Sequence, residues 1–333
     1  VRPPLDVLIT VDTEVWPRSP GGARWDGSGL RAHLRRDIYG ESAGGAYGLP
    51  YQMEVLNAHG LKAVFLVESL FADVVGEAPL REIVELVQQA GHEVQLHVHS
   101  EWLAWGAGSL LPGRTGQNLA DFTEGEQVAI LGRGLENLRR AGAGDVCAFR
   151  AGNYGANFDT LRALARVGIP FDTSYNPCYL RAECGLRTAT PLVQPRRIEG
   201  VCEVPISFFT DYPGHYRHAQ LCSCSFGEMR LALERAWRGG WRTFVIVSHS
   251  FELLGRDRDG IPAGPDRIVI GRFEKLCRFL AANRGRFRTA GFSDLDPAGL
   301  VDPTPAPEVR SNLLATTLRC GEQLVRRLNR PHR

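Results

Sequence analysis

Val7-Leu8-Ile9-Thr10-Val11-Asp12-Thr13-Glu14 is an apolar run that feeds directly into two carboxylates. In an extended chain, residues i and i+2 point to the same side. Asp12 and Glu14 therefore leave the strand together, and Thr13 faces away. Two anions on one side of a strand end repel each other unless a cation or a proton separates them. The strand start at Leu5 and the paired carboxylates set the frame for the rest of the chain.

Downstream, strand-like apolar runs over 7–11, 63–67, 93–97, 146–150, 202–206 and 243–248 alternate with helical patterns over 51–58, 80–90, 124–141, 158–167, 227–238 and 270–283. Such alternation indicates βα units around a largely parallel sheet or barrel. Glycines at 60, 91, 142 and 168 stand at the expected helix ends. Two stretches break the pattern, 17–50 and 177–201, and both are placed to frame a cleft. A Pro-rich run, Pro303-Thr304-Pro305-Ala306-Pro307, separates a main domain over 1–300 from a tail over 301–333. In the tail, apolar residues at helical spacing precede a basic end, Arg326-Arg327-Leu328-Asn329-Arg330. The expectation is an amphipathic basic helix that packs on its own domain or joins two copies as a homodimer.

The 333 residues are 44% hydrophobic and 23% charged, enough for a well-buried core. A net charge of +2 gives no field suited to nucleic acid. Lys62 and Lys275 are the only lysines among 39 basic residues. Eight scattered cysteines, without a CxxC pair, read as reduced thiols, and Cys222-Ser223-Cys224 is a weak metal or redox hint. No apolar run approaches the roughly 18–20 residues of a membrane span. No leader pattern is visible before the first strand, so the expected location is cytoplasmic.

In parallel α/β architectures, ligands sit at the carboxyl ends of strands. Those ends carry Asp12 and Glu14, then His97-Val98-His99-Ser100-Glu101-Trp102, then Arg150-Ala151-Gly152-Asn153-Tyr154, and finally His249-Ser250-Phe251-Glu252. Two histidines and a carboxylate around an open position make a catalytic zinc-type site. In an extended chain His97 and His99 share a side, giving Glu14, His97 and His99 as ligands. If the chain turns helical after His97, Glu101 becomes its neighbour instead. The first set is preferred, because imidazole is the commoner partner of zinc.

With these motifs in this order, residues 5 to 295 resemble the polysaccharide deacetylase family, which shares the NodB homology domain. Thr10-Val11-Asp12-Thr13-Glu14 stands for that family's first motif. Gly91-His92-Glu93-Val94 with His97 stands for the second, Arg150-Ala151-Gly152-Asn153-Tyr154 for the third and Val245 to His249 for the last. The resemblance implies a distorted (β/α) barrel of about seven strands. This chain departs from the pattern where Thr13 replaces the ligand aspartate, so Glu14 must serve. Glu101 stands at the second histidine of the motif, and the third motif lacks its proline.

The activity implied is metal-dependent removal of an N-acetyl group from an amino sugar, with zinc the expected ion. Asp12 is implied as general base, Arg150 as its partner, His249 as general acid and Asp172 as an acidic partner of the catalytic groups. The turn Gly152 to Tyr154 would offer a backbone N–H to the oxyanion. Trp16 and Trp102, with Asn153 and Tyr154, are the expected substrate contacts, and Trp25 and Trp105 lie on the same candidate loops. The alternatives are a cyclic imide or ureide hydrolase on the same fold and a carbohydrate-binding protein without catalysis.

Overall fold

The computed structural model describes residues 2–16, 25, 27–105, 110–256, 262–301 and 306–328. A single nine-stranded sheet forms the centre. Its strands are β1 (Leu5–Thr13), β2 (Val64–Glu68), β3 (Glu93–Val98), β4 (Ala148–Ala151), β5 (Phe171–Asp172), β6 (Arg196–Ile198), β7 (Val201–Glu203), β8 (Thr243–His249) and β9 (Phe287–Thr289). The order is β8-β1-β2-β3-β4-β5-β7-β6, with β9 also on β1. From β8 to β7 every neighbour is parallel. Only β6 runs antiparallel, against β7.

Seven parallel strands curl without closing by a regular ladder. Single bonds span the gap between the chain after β7 and β8: Ser207 N–H to Val245 O (3.3 Å), Val247 N–H to Ala219 O (2.8 Å) and Leu221 N–H to Val247 O (3.1 Å). This is the distorted (β/α) barrel that the resemblance implies, built from the βα units that the alternation indicates. β1, β2 and β8 are buried almost throughout, on both faces, because the sheet is covered on both.

The longer helices outside the sheet are α1 (Leu49–Ala58), α2 (Glu77–Gln89), α3 (Glu124–Arg140), α4 (Phe158–Val167), α5 (Phe226–Arg238), α6 (Arg267–Ala282) and α7 (Leu313–Leu328). Capping boxes start three of them, at Thr123/Glu126, Asn157/Thr160 and Ser225/Glu228. α4 ends at Gly168, whose φ of 82° needs a residue without Cβ strain. Of the two aperiodic stretches, 17–24 and residue 26 lie outside the described residues. The remainder of the first contains an unanticipated helix, Leu30–Asp37. The linker at 302–305 and the basic end at 329–333 also lie outside them.

Register sets the height of the functional side chains. Asp12 pairs with His249, Glu68 with His97, and His97 with Arg150. Thr13 pairs with Val67, so Glu14 leaves β1 at the height of Glu68 and His97. One rim of the barrel thus collects residues from five strands.

Candidate active site

At that rim, Glu14 Oε1 stands 3.0 Å from His97 Nε2 and 3.2 Å from His99 Nε2. The three side chains are buried. His97 Nδ1 lies 2.8 Å from the carbonyl oxygen of Arg150, which can only accept. Nδ1 therefore carries the proton, and the Nε2 of a neutral His97 turns a lone pair toward Glu14. His99 is held similarly. Its Nδ1 is 3.3 Å from Glu101 Oε2, and its backbone N–H donates to Glu68 Oε2. Two imidazole Nε2 atoms and a carboxylate oxygen then converge on one point, an arrangement that a cation or a shared proton relieves. The donor set fits a divalent metal ion of the zinc type.

The electrostatics express the same convergence. Burial opposes a charge on Glu14, but the pull of His99 and the close approach of both imidazoles outweigh it and hold its carboxyl well below the usual range. Burial likewise opposes charge on His99, and Glu14 with Glu101 raises that imidazole well above its ordinary value. The other Glu14 oxygen, Oε2, accepts from the indole N–H of Trp16. Trp16 also sets its ring edge-on to His99, with centroids 4.6 Å apart.

Glu101 does not join this point. His99 is extended (φ −101°, ψ 112°), and the short helical turn Ser100–Ala104 starts only after it. His99 therefore shares the side of His97, while Glu101 lies behind it, where it also accepts from Asn153 Nδ2 (3.0 Å). The alternative ligand set with Glu101 is corrected on this ground. Gly152 makes the position of His99 possible, since a Cβ there would stand 2.5 Å from the ring.

Asp12 is gripped from below. Arg150 donates to Asp12 Oδ1 (2.5 Å), to Thr10 Oγ1 (2.9 Å) and to the Thr173 carbonyl (3.1 Å), and is fully buried. Across the cavity His249 Nδ1 meets Glu252 Oε2 at 2.8 Å, leaving Nε2 for the site. One donor atom each from Asp12, Glu14 and His249 lie within 4.8 Å of one another. Burial disfavours a charged His249, but the hydrogen bond and charge of Glu252 lift it to about 9. Burial would raise Glu252, yet its bond to His249 brings it down to about 2. Gln220 Nε2 (3.1 Å) and the Cys222 N–H (2.9 Å) also donate to Glu252.

Two expected site residues lie elsewhere. Asp172 is buried beneath the rim, accepts from Ser174 Oγ (2.6 Å), and pairs across the sheet with Glu203. It does not touch the cavity, and the acidic partner found in the site is Glu252. The His-x-x-Glu spacing at 249–252 was the available signal. Trp102 is 1% exposed, wedged among Trp25, Phe71 and Trp105. It is core and not a sugar platform, because the turn after His99 folds it back under the loop. Glu68, which sequence reasoning passed over, ends β2 as the other carboxylates end their strands. Burial pushes its carboxyl up to about 8.

Asp12, Glu14, Trp16, His97, His99 and His249 line a single cavity of about 1110 Å³. Asn153 and Tyr154, both at positive φ (56° and 58°), form part of its wall. Cys222 also reaches the wall, but burial raises its thiol well above the ordinary value, so it is no ready thiolate.

No family model matches the chain, and no curated protein matches it by sequence. Solved structures do. A protein from Mycobacterium smegmatis provisionally assigned as a polysaccharide deacetylase is 16% identical. It superposes over 94% of this chain and 96% of its own, with a TM-score of 0.56. The fold is that of the polysaccharide deacetylases. A family 4 carbohydrate esterase from Streptomyces lividans, solved with acetate, is 11% identical over 91% of this chain and 100% of its own, with a TM-score of 0.45. A family 4 pseudoenzyme from Bacillus anthracis is 10% identical over 92% and 69%, with a TM-score of 0.40. On the polysaccharide deacetylase fold of this chain, the rim residues described above all come from strand ends or the loops that follow them.

Proposed function

We propose that the protein is a metal-dependent hydrolase that removes an N-acetyl group from an amino sugar and releases acetate. One observation carries the reading. A single cavity gathers a carboxylate shared by two imidazoles, a carboxylate gripped by a buried arginine, and an imidazole backed by a carboxylate. These are a seat for a cation, a base and an acid, the three parts that hydrolysis of a linear amide needs.

Glu14, His97 and His99 would hold the ion, with zinc the expected one. Bound there, a divalent ion polarises the acyl carbonyl and lowers the pKa of a water. Asp12, oriented by Arg150, takes the proton of the attacking water. His249, charged near neutral pH through Glu252, gives a proton to the departing amine. A backbone N–H of the Gly152–Tyr154 turn would donate to the developing oxyanion, and Tyr154 would offer an aromatic surface to the sugar.

The cavity volume of about 1110 Å³ favours a sugar carrying a second ring or a linked group over a small cyclic imide. A pure binding protein has no chemical use for Arg150 beneath Asp12 or Glu252 behind His249. The test is acetate release from N-acetylglucosamine oligomers and nucleotide-linked N-acetyl sugars, with metal content measured in parallel. Asp12→Asn should abolish turnover and keep the metal, and His97→Ala should lose both. Turnover retained in Asp12→Asn would remove the general-base assignment.

A further inference from the structure

Helix α7 (Leu313–Leu328) is oriented opposite to an ordinary surface helix. Three of its four charged side chains face the protein. Arg319, 4% exposed, donates to Glu228 Oε1 and Asp211 Oδ2, each at 3.0 Å. Glu322 accepts from Arg272 (2.9 Å), and Arg326 donates to Asp266 Oδ2 (2.6 Å). Its apolar side chains face outward. Leu313, Leu314, Leu318, Leu324 and Val325 are 78, 71, 60, 59 and 45% exposed. At 3.6 residues per turn these five fall within an arc of roughly 140°. An amphipathic helix on a globular surface normally does the reverse.

With Tyr212 (49% exposed), they are the exposed large hydrophobic side chains among the described residues. Tyr212 follows Asp211, whose carbonyl accepts from Thr316 on α7 at 3.5 Å, so it belongs to the same side of the molecule. An apolar patch concentrated in one place marks a docking surface.

Charge selects the occupant. Exposed Arg327 flanks the patch, and the only acid of α7, the half-exposed Glu322, is paired with Arg272. A second copy would bring leucines and arginines to this face but no free carboxylate from its own helix. An anionic lipid surface supplies both an apolar layer and phosphates. We propose that the outward face of α7, with Tyr212, docks on an anionic phospholipid bilayer. Its leucines enter the headgroup–acyl boundary, and Arg327 meets lipid phosphate. The attachment is peripheral, since no described helix is long and apolar enough to cross a membrane. The same helix lends Gln323, Arg326 and Arg327 to the wall of the cavity, so a docked bilayer would lie beside the mouth.

The test is sedimentation of the full chain with vesicles of phosphatidylcholine alone or mixed with phosphatidylglycerol, read without substrate and hence independent of the deacetylase reading. Binding should require phosphatidylglycerol, weaken with salt, and fall at least tenfold in the Leu318→Glu/Leu324→Glu double variant. Both side chains face outward, so its melting temperature should match the parent. If it does not, Arg327→Glu replaces it and should lower binding severalfold. Absence of binding to mixed vesicles, or equal binding by the variants, would overturn the proposal. So would a dimer in light scattering that the double variant splits while vesicles capture nothing.

Discussion

The indole N–H of Trp16 donates to Glu14 Oε2 and thereby turns Oε1 toward both His97 and His99. Trp16 reads in the sequence as a sugar platform, but its N–H is committed to orienting Glu14, the proposed metal ligand. Such supporting bonds are typically worth 10–100-fold in metal affinity. Trp16→Phe keeps the ring edge on His99 and removes only the donor. Its zinc affinity, titrated against a chelating dye, should fall by about that factor with little change in melting temperature.

Gly152 is the other hidden support. Its Cα lies against His99 so closely that one added carbon would stand 2.5 Å from the ring. Gly152→Ala must therefore displace His99, Asn153 or both. Metal affinity should drop at least tenfold, while circular dichroism keeps the αβ signature of the parent. An unchanged affinity would mean the turn yields freely and does not position the ligand.

The sequence makes the strand-end residues legible because two constraints coincide there. Alternation places Asp12 with Glu14 and His97 with His99 on shared sides, and parallel sheets expose ligands at carboxyl ends. What lies off the strands is not legible in that way. Trp102 follows a histidine pair and looks like part of the cleft. Only the short helical turn after His99 shows that it folds back into the core. Asp172 ends a two-residue strand, and its height in the barrel depends on register with Glu203, which no local pattern encodes. α7 is visible as a periodic segment, but which face turns inward depends on Asp211, Glu228, Asp266 and Arg272, far away in sequence.

The pair of His249 and Glu252 predicts a pH profile. His249 is raised to about 9, so the general-acid limb of activity should hold through neutral pH and fall as pH rises through about 9. Glu252→Gln removes the carboxylate and should move that limb down toward the ordinary histidine value near 6.5. Stability follows the same signs. The raised His249 contributes fully below about 6.5, and its contribution is lost as pH rises through about 9. The lowered Glu252 contributes above its ordinary range and loses its contribution as pH falls toward about 2. At neutral pH this one interaction is worth on the order of 3 kcal/mol. Chemical denaturation of the parent and Glu252→Gln between pH 5 and 10 measures it, with a difference that narrows toward the alkaline end.

Asp172 and Glu203 predict a pH dependence opposite in sign to that of Glu252. Both are fully buried on neighbouring strands, and Asp172 Oδ2 and Glu203 Oε2 have no hydrogen-bond partner elsewhere among the described residues. Burial raises both carboxyls, Glu203 further through the charge of Asp172 beside it. The native state therefore retains a proton that the unfolded chain releases above the ordinary carboxyl range. Stability must fall as pH rises past that range. Glu203→Gln keeps the oxygen that accepts the Tyr175 N–H (3.0 Å) and gives Asp172 a donor. It should stabilise the fold at pH 8 by about 1–2 kcal/mol, roughly 2–6 °C in melting temperature, with the gain shrinking toward pH 4. Neither side chain lines the cavity, so turnover by Glu203→Gln or Asp172→Asn should stay within about threefold of the parent. A large loss of kcat in Asp172→Asn, without a change in stability, would return to Asp172 the supporting role that the proposed mechanism gives to Glu252.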